Sequence, residues 1–427
     1  IMTNTLYRWL IVLKKPGNQI WLVPAYWAAF AVILAFIARL FGEMIKTDAL
    51  PNIERSTLED LLTILASSML SVSTFSLSIM VSAFSSAANS TTPRAMGLVM
   101  GDDNTRTTIA SFIAAFIYAM IAKTAIGMEY YGQNGRFILF IGTIIVVFYL
   151  IVTLIRWVST LSQLGSLSNT LHKISAKTED ALQNYYKSPD MGAVWQGNLQ
   201  HPAQAIHAGQ AGYLTHIDMA SLQKLAEKHD TYLSITVRPG KLLTKNSVIA
   251  CLSAQVEASA AQAFADCFVV NYERTYAQDP QWGLNVLSEA AQRALSPGTN
   301  DPGTAINIMV IILALLSKKM PEREKGEYDR LSIIAADVQD WIAHTFLPIA
   351  RDGAGVVEVG ASMQSVLAGI AADCRDPQIA VAAADTAQAA LKRFQQILDF
   401  EDDRQKLLQQ HRMLFAADKV SALQVKK

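Results

Sequence analysis

Four charge-poor hydrophobic runs fill the first third of the chain, at about 20–41, 61–84, 108–127 and 137–155. As a helix, each is long enough to cross a hydrocarbon core of about 30 Å. The second run, LLTILASSMLSVSTFSLSIMVSAF, is different in kind. Thr63, Ser67, Ser71, Thr74, Ser78, Ser82 and Ser85 recur three or four residues apart, close to the helical period, so one face is hydroxyl from end to end. A hydroxyl without a partner is costly in lipid, so this face is expected to look at protein or at water. Small residues four apart also let helices approach closely, and packing is the simpler account of the stripe. A stripe lasting about six turns exceeds what one helix crossing requires, which makes a pore wall the second account.

Ahead of the spans, residues 1–19 repeat Leu6, Leu10 and Leu13 at helical spacing, with Trp9, Arg8, Lys14 and Lys15 beside them, and predict an interfacial amphipathic helix. The Pro16-Gly17-Asn18 turn ends it, and no small-residue processing site marks a cleaved leader. Four crossings place both termini on one side. That side would hold Arg8, Lys14, Lys15, Arg94, Arg106 and Arg156 against Lys46, Arg55 and Arg136 on the other, plus Arg39 and Lys123 near helix ends, which by a modest margin favours cytoplasmic termini.

Hydropathy falls beyond Val158. Residues 20–157 are therefore expected to form a four-helix transmembrane domain, followed by a helix and small β-rich subdomain over 158–252 and a mainly helical subdomain over 253–427. Ser159 to Tyr186 reads as a helix continuing the fourth span. The Arg238-Pro239-Gly240 turn, flanked by alternating residues, predicts hairpins in a small sheet or barrel. Cys267 to Glu273 and the segment GVVEV after Arg351-Asp352-Gly353 read as short strands. The fold class expected is thus an α-helical membrane domain joined to a cytoplasmic α+β domain.

Composition removes several functions. The 36 basic and 36 acidic residues cancel, so no global field attracts nucleic acid. Cys251, Cys267 and Cys374 stand apart, without a disulfide framework or a cysteine zinc site, and fit a reducing compartment. The seven histidines are scattered, and no HExxH, GxSxG, P-loop or strand-borne GxGxxG is present, so neither an enzyme, a metal site nor a cofactor is expected. One loop concentrates turn chemistry: ALSPGTNDPGTAI, Ala294 to Ile306. Asp301 before Pro302 reads as an N-cap and first-turn pair, which makes the loop a rigid corner. The alternative is that Ser296, Asn300, Asp301 and Thr304 contact a ligand or a neighbouring subunit.

ASSMLSVSTFSLSIM with Pro93-Arg94, RTYAQDPQWGL, ALSPGTNDPGTAI and RDGAGVV together resemble a bacterial predicted-membrane-protein family, domain of unknown function 2254. The resemblance covers nearly the whole chain. It implies a four-helix membrane domain plus a cytoplasmic domain in a bacterial inner membrane, and hands over no catalytic residues. Gly303 stands where the family commonly has a bulky residue, and Thr-Thr-Pro-Arg where it has Ser-Pro-Arg.

One stripe per chain cannot enclose an aqueous path, whereas copies in cyclic symmetry can. The sequence therefore predicts a homo-oligomeric, cation-preferring ion channel, drawn as a pentamer. Thr63, Ser67, Ser71, Thr74, Ser78 and Ser82 would line its pore, Glu59, Asp60 and Arg94 would sit at its mouths, and lipid, permeant ion and further copies of the chain would be its partners. The rival class is a membrane-anchored cytoplasmic sensor or scaffold without transport. A transporter comes third, since no inverted pair of Gly/Pro-broken spans is visible.

Overall fold

The computed structural model describes residues 50–90, 92–95, 103–161, 166–197 and 202–416, with isolated positions at 25, 26, 29, 33, 98 and 199. The interfacial helix expected over 1–19, the first span over 20–41 and His201 lie outside the described residues, apart from those isolated positions in the first span. The chain divides into two compact units, Ile1–Asn89 with Met96–Asn169, and Ser90–Ala95 with Thr170–Lys427. The sequence places the boundary after Trp157.

In the first unit α1 (Arg55–Ser90), α2 (Asp103–Gly127) and α3 (Gln133–Leu161) each contain a stretch long and apolar enough to cross a membrane. Helix α1 has 36 residues, about 54 Å of rise, so its ends outrun the hydrocarbon core. Leu58, Leu62, Leu65, Ala66 and Met69 of α1 form one buried cluster with Phe112 and Tyr118 of α2 and Leu139, Leu150 and Trp157 of α3. The Tyr118 and Thr143 hydroxyls meet at 2.9 Å, pairing the polar groups buried between α2 and α3. Ile144, Ile145, Phe148, Ile151, Ile155 and Val158 of α3 are exposed. Such an apolar outer surface suits a hydrocarbon solvent and would be a liability in water.

Helix α4 (Leu167–Lys187), most of which lies in the second unit, is a separate helix and not the continuation of α3. Ser166 lies outside any helix, and its hydroxyl accepts from the Asn169 amide at 3.2 Å at the start of α4. Then come β1 (Gln204–His207), β2 (Gly212–Ile217), α5 (Met219–Lys228), β3 (Leu233–Ile235), β4 (Leu242–Leu243), β5 (Val248–Leu252), α6 (Ala258–Ala265) and β6 (Phe268–Asn271). Among the described residues the strands form two sheets and no barrel: β1-β5-β3-β7, with β7 (Leu331–Ile333) parallel to β3, and an antiparallel β4-β2-β6. Leu214, Ile217, Leu222, Leu233, Ile235, Ile249, Leu252 and Phe264 fill the core they share with α5 and α6.

The hairpin expected across Arg238-Pro239-Gly240 is absent, because β3 and β4 belong to different sheets. The turn instead carries the chain from one sheet to the other, with the Gly240 amide donating to the Leu214 carbonyl at 2.7 Å. Gly240 has a φ of +94°, and a Cβ there would lie 2.7 Å from Arg274 Nη2 and against the Asp279 carboxylate, so only glycine fits.

The helical part comprises α7 (Pro280–Ala294), α8 (Pro302–Leu316), α9 (Val338–Asp352), α10 (Val357–Asp373), α11 (Pro377–Ile397) and α12 (Glu401–Leu414). Helices α9 and α10 both pack on α11, and α8 buries Ile308, Met309, Ile312 and Leu316. GVVEV is the start of α10 and not a strand. Val359, Met363, Val366, Leu367 and Ile370 recur at helical spacing and are buried, and this longer pattern overrides the local preference of three valines for strand.

Candidate functional site

Helix α1 presents two opposed faces. One buries Leu58, Leu62, Leu65 and Met69; the other exposes Thr63, Ser67, Ser71, Thr74, Ser78 and Ser82. Among the described residues the stripe is therefore not the face that α1 packs on α2 and α3. Five of the six hydroxyls bond back to the preceding turn: Thr63 donates to the Glu59 carbonyl at 2.6 Å, Ser67 to Thr63 at 2.8 Å, Ser71 to Ser67 at 2.9 Å, Thr74 to Leu70 at 2.9 Å and Ser78 to Thr74 at 3.1 Å. Each hydroxyl proton is thus used inside the helix, and the outward side of each oxygen is left as an acceptor.

The Glu59 end of the stripe is less acidic than the sequence alone implies. Arg55 Nε pairs with Glu59 at 2.6 Å, and its Nη1 reaches Glu129 at 3.2 Å. Lys123 of α2 donates to the Thr63 hydroxyl at 2.8 Å, placing a cation on the first residue of the stripe. Among the described residues Asp60 has no ion-pair partner and is exposed.

Just beyond the other end, Pro93–Ala95 forms a single 3-10 turn that belongs to the second unit. Arg94 is not a free cation there. Its Nη1 pairs with Glu289 of α7 at 2.6 Å, and the Thr92 hydroxyl donates to the same carboxylate at 3.1 Å. The Arg94 guanidinium also lies 5.8 Å from the Trp282 ring centroid, while Arg274 lies over the same ring at 5.0 Å. Arg274 is held in turn by two hydrogen bonds to Asp279, at 2.8 and 2.9 Å. Asp279 also caps α7, accepting from the Trp282 amide at 3.2 Å. This carboxylate is 4 % exposed; burial pushes its pKa above the ordinary value, and Arg274 opposes that shift only in part.

Segment 92–95, Trp282, Arg274 and Asp279 thus form one stacked cluster that the sequence reading did not assemble. Its local signal was the Asp279-Pro280 pair, the same N-cap signature seen at Asp301-Pro302. Nothing local pointed to Arg94, almost two hundred residues earlier.

The Asp301 corner is internally satisfied. Ser296 donates to the Arg293 carbonyl at 2.7 Å, and the Asn300 amide, at a φ of +48°, donates to Ser296 at 2.8 Å. Asp301 accepts from the Thr304 amide at 3.0 Å and from its hydroxyl at 2.6 Å, bonds that hold its pKa below the ordinary value. The four residues are brought together as a helix cap. No group of three or more metal-ligating side chains occurs among the described residues. All three cysteines are free, and burial pushes the thiols of Cys267 and Cys374 up to about 11.

The chain is 23 % identical to an uncharacterized protein of Mycobacterium bovis and, equally, to one of Mycobacterium tuberculosis; each alignment covers 95 % of this chain and 82 % of the relative. No solved structure matches it. Residues 17–369 match the family described as Predicted membrane protein (DUF2254), and the chain belongs to that family.

Proposed function

We propose that the chain is the subunit of a homo-oligomeric, cation-preferring ion channel of the bacterial inner membrane, with four spans, cytoplasmic termini and a pore lined by the hydroxyl face of α1. The observation that carries this reading is the direction of the stripe. A face of six hydroxyls turned away from the cluster that α1 forms with α2 and α3 encloses no path in one chain, and copies around an axis, five being the working number, would bring it to a common wet path. Back-bonding supports cation preference, since a wall whose donors are spent offers lone pairs to a partly dehydrated cation. Asp60 supplies the acidic charge at the mouth, Glu59 being paired with Arg55. The docking of Arg94 on Glu289 would link the end of the pore helix to the cytoplasmic domain.

Planar-bilayer recording of the purified protein tests this. Conductance is expected, with Ser71→Leu and Ser78→Leu reducing it and Asp60→Lys moving the reversal potential toward anions. Silence under voltage, tension and pH change, together with a monomer in detergent, would sink the proposal.

One observation favours the rival reading of an anchored sensor or scaffold. Hydroxyls bonded to their own helix do not require water and can face lipid or another helix. In that case Ser71→Leu and Ser78→Leu leave no electrical trace because there is no current to change.

A further inference from the structure

Arg238, in the turn leaving β3, is a half-buried cation with most of its hydrogen-bonding capacity unused. Its Nε donates to the Ile334 carbonyl, just past β7, at 2.5 Å. Among the described residues neither Nη1 nor Nη2 has an acceptor, and no carboxylate forms an ion pair with the guanidinium. Two cavities meet at this side chain. One, of about 370 Å³, is lined by Tyr185, Ile217, Met219, Ala220 and Tyr328. The other, of about 310 Å³, is lined by Lys241, Gln281, Asp337 and Trp341, and the two share Tyr185, Arg238, Gln278 and Pro280.

The acids around the cavities are committed elsewhere. Asp218 caps α5, accepting from the Ser221 amide at 3.0 Å and its hydroxyl at 2.7 Å. Asp279 is held by Arg274, Asp337 caps α9 through the Asp340 amide at 3.1 Å, and Asp340 pairs with His344 at 2.7 Å. Burial lowers the pKa of the Arg238 guanidinium overall, and Tyr185 and then Asp190 oppose that shift only at a distance. Gln278 cannot serve as the partner, because both ends of its amide are tied to the backbone of Ile217, at 2.8 and 3.3 Å. A cation kept away from water without a counter-ion costs stability, and the two open cavities that Arg238 lines are where a counter-ion would enter.

We propose that Arg238 anchors a binding site for a small organic oxyanion. A carboxylate or phosphate head takes the free N–H groups of the guanidinium fork, and the body of the molecule lies in the larger cavity between Tyr185, Ile217 and Met219. Lys241, lining the smaller cavity, adds a second positive charge on the far side. The site does not depend on the channel reading, since it lies wholly within residues 181–341 of the second unit.

Isothermal titration of the full chain in detergent with inorganic phosphate, phenyl phosphate and benzoate tests the proposal. Saturable binding of phenyl phosphate, benzoate or both is expected, and the preferred one identifies the head group. Arg238→Gln should weaken it roughly 10- to 100-fold, the span set by loss of a charged hydrogen bond, and Arg238→Lys by less. Ala220→Phe, an exposed position on the wall of the larger cavity, should weaken the two aromatic anions and leave inorganic phosphate unchanged. Lys392→Gln, on the exposed side of α11, should change nothing. No binding by any probe, or binding that both Arg238→Gln and Ala220→Phe leave intact, would overturn the proposal. Should Arg238→Gln fail to fold, Arg238→Lys and Ala220→Phe decide the matter.

Discussion

His411 illustrates how burial acts on the protonation of one side chain in this molecule. Gln364 Nε2 donates to the Ala387 carbonyl at 3.0 Å, which orients that amide and leaves its Oε1 to accept from His411 Nδ1 at 2.7 Å. Nε2 lies 3.1 Å from Gln388 Oε1, which can only accept, so the two form a hydrogen bond only in the imidazolium, when Nε2 also carries a proton. Burial lowers the pKa of this imidazole below its ordinary 6.5. Below 6.5 the unfolded chain therefore binds a proton that the folded chain resists, so stability falls as pH drops through 6.5 and levels off below the folded value. Melting curves between pH 8 and pH 5 should show that loss in the native protein and a flatter profile in His411→Gln. Residues of this kind are invisible in the sequence, where His411 is one lone histidine on a helix. The stripe on α1 was fully legible, because a charge-free run displays its periodicity; Lys123 on Thr63 was not, since it comes from another helix sixty residues away.

At the scale of elements, α7 organises the second unit. It opens on a buried capping carboxylate, offers the Trp282 ring to two arginines and leads into the Asp301 corner. Its Gly283 is where α4 comes closest: a Cβ there would clash with the Thr178 hydroxyl and lie 2.7 Å from Thr178 Cβ. Gly283→Ala should therefore destabilise the protein by about 1–3 kcal/mol through overpacking. Thermal unfolding should show part of that loss recovered when Thr178→Ala is added, because the two positions share one contact. Elements with long uniform patterns, such as the three described spans and α8, could be read directly, and so could the Asp301-Pro302 cap. The hairpin at Gly240 and the strand at GVVEV were misread for a common reason. Turn residues and valines describe a few positions at a time, whereas sheet membership and helix length are decided by partners far along the chain.

Considering the whole molecule, the chain passes between its two units three times, after Asn89, after Ala95 and after Asn169. The middle visit is only six residues long, yet it brings Thr92 and Arg94 to Glu289. A protein threaded in this way can be split. Residues 1–165 and 166–427, coexpressed as separate chains, should copurify, with the first fragment supplying the 90–95 clasp to the second. Thr92→Ala with Arg94→Ala should release them from each other, and halves that stay together regardless would show that the clasp is dispensable. Peptide continuity after Leu161 would then be a convenience of synthesis, the two gene products finding each other through an arginine, a threonine and the carboxylate between them.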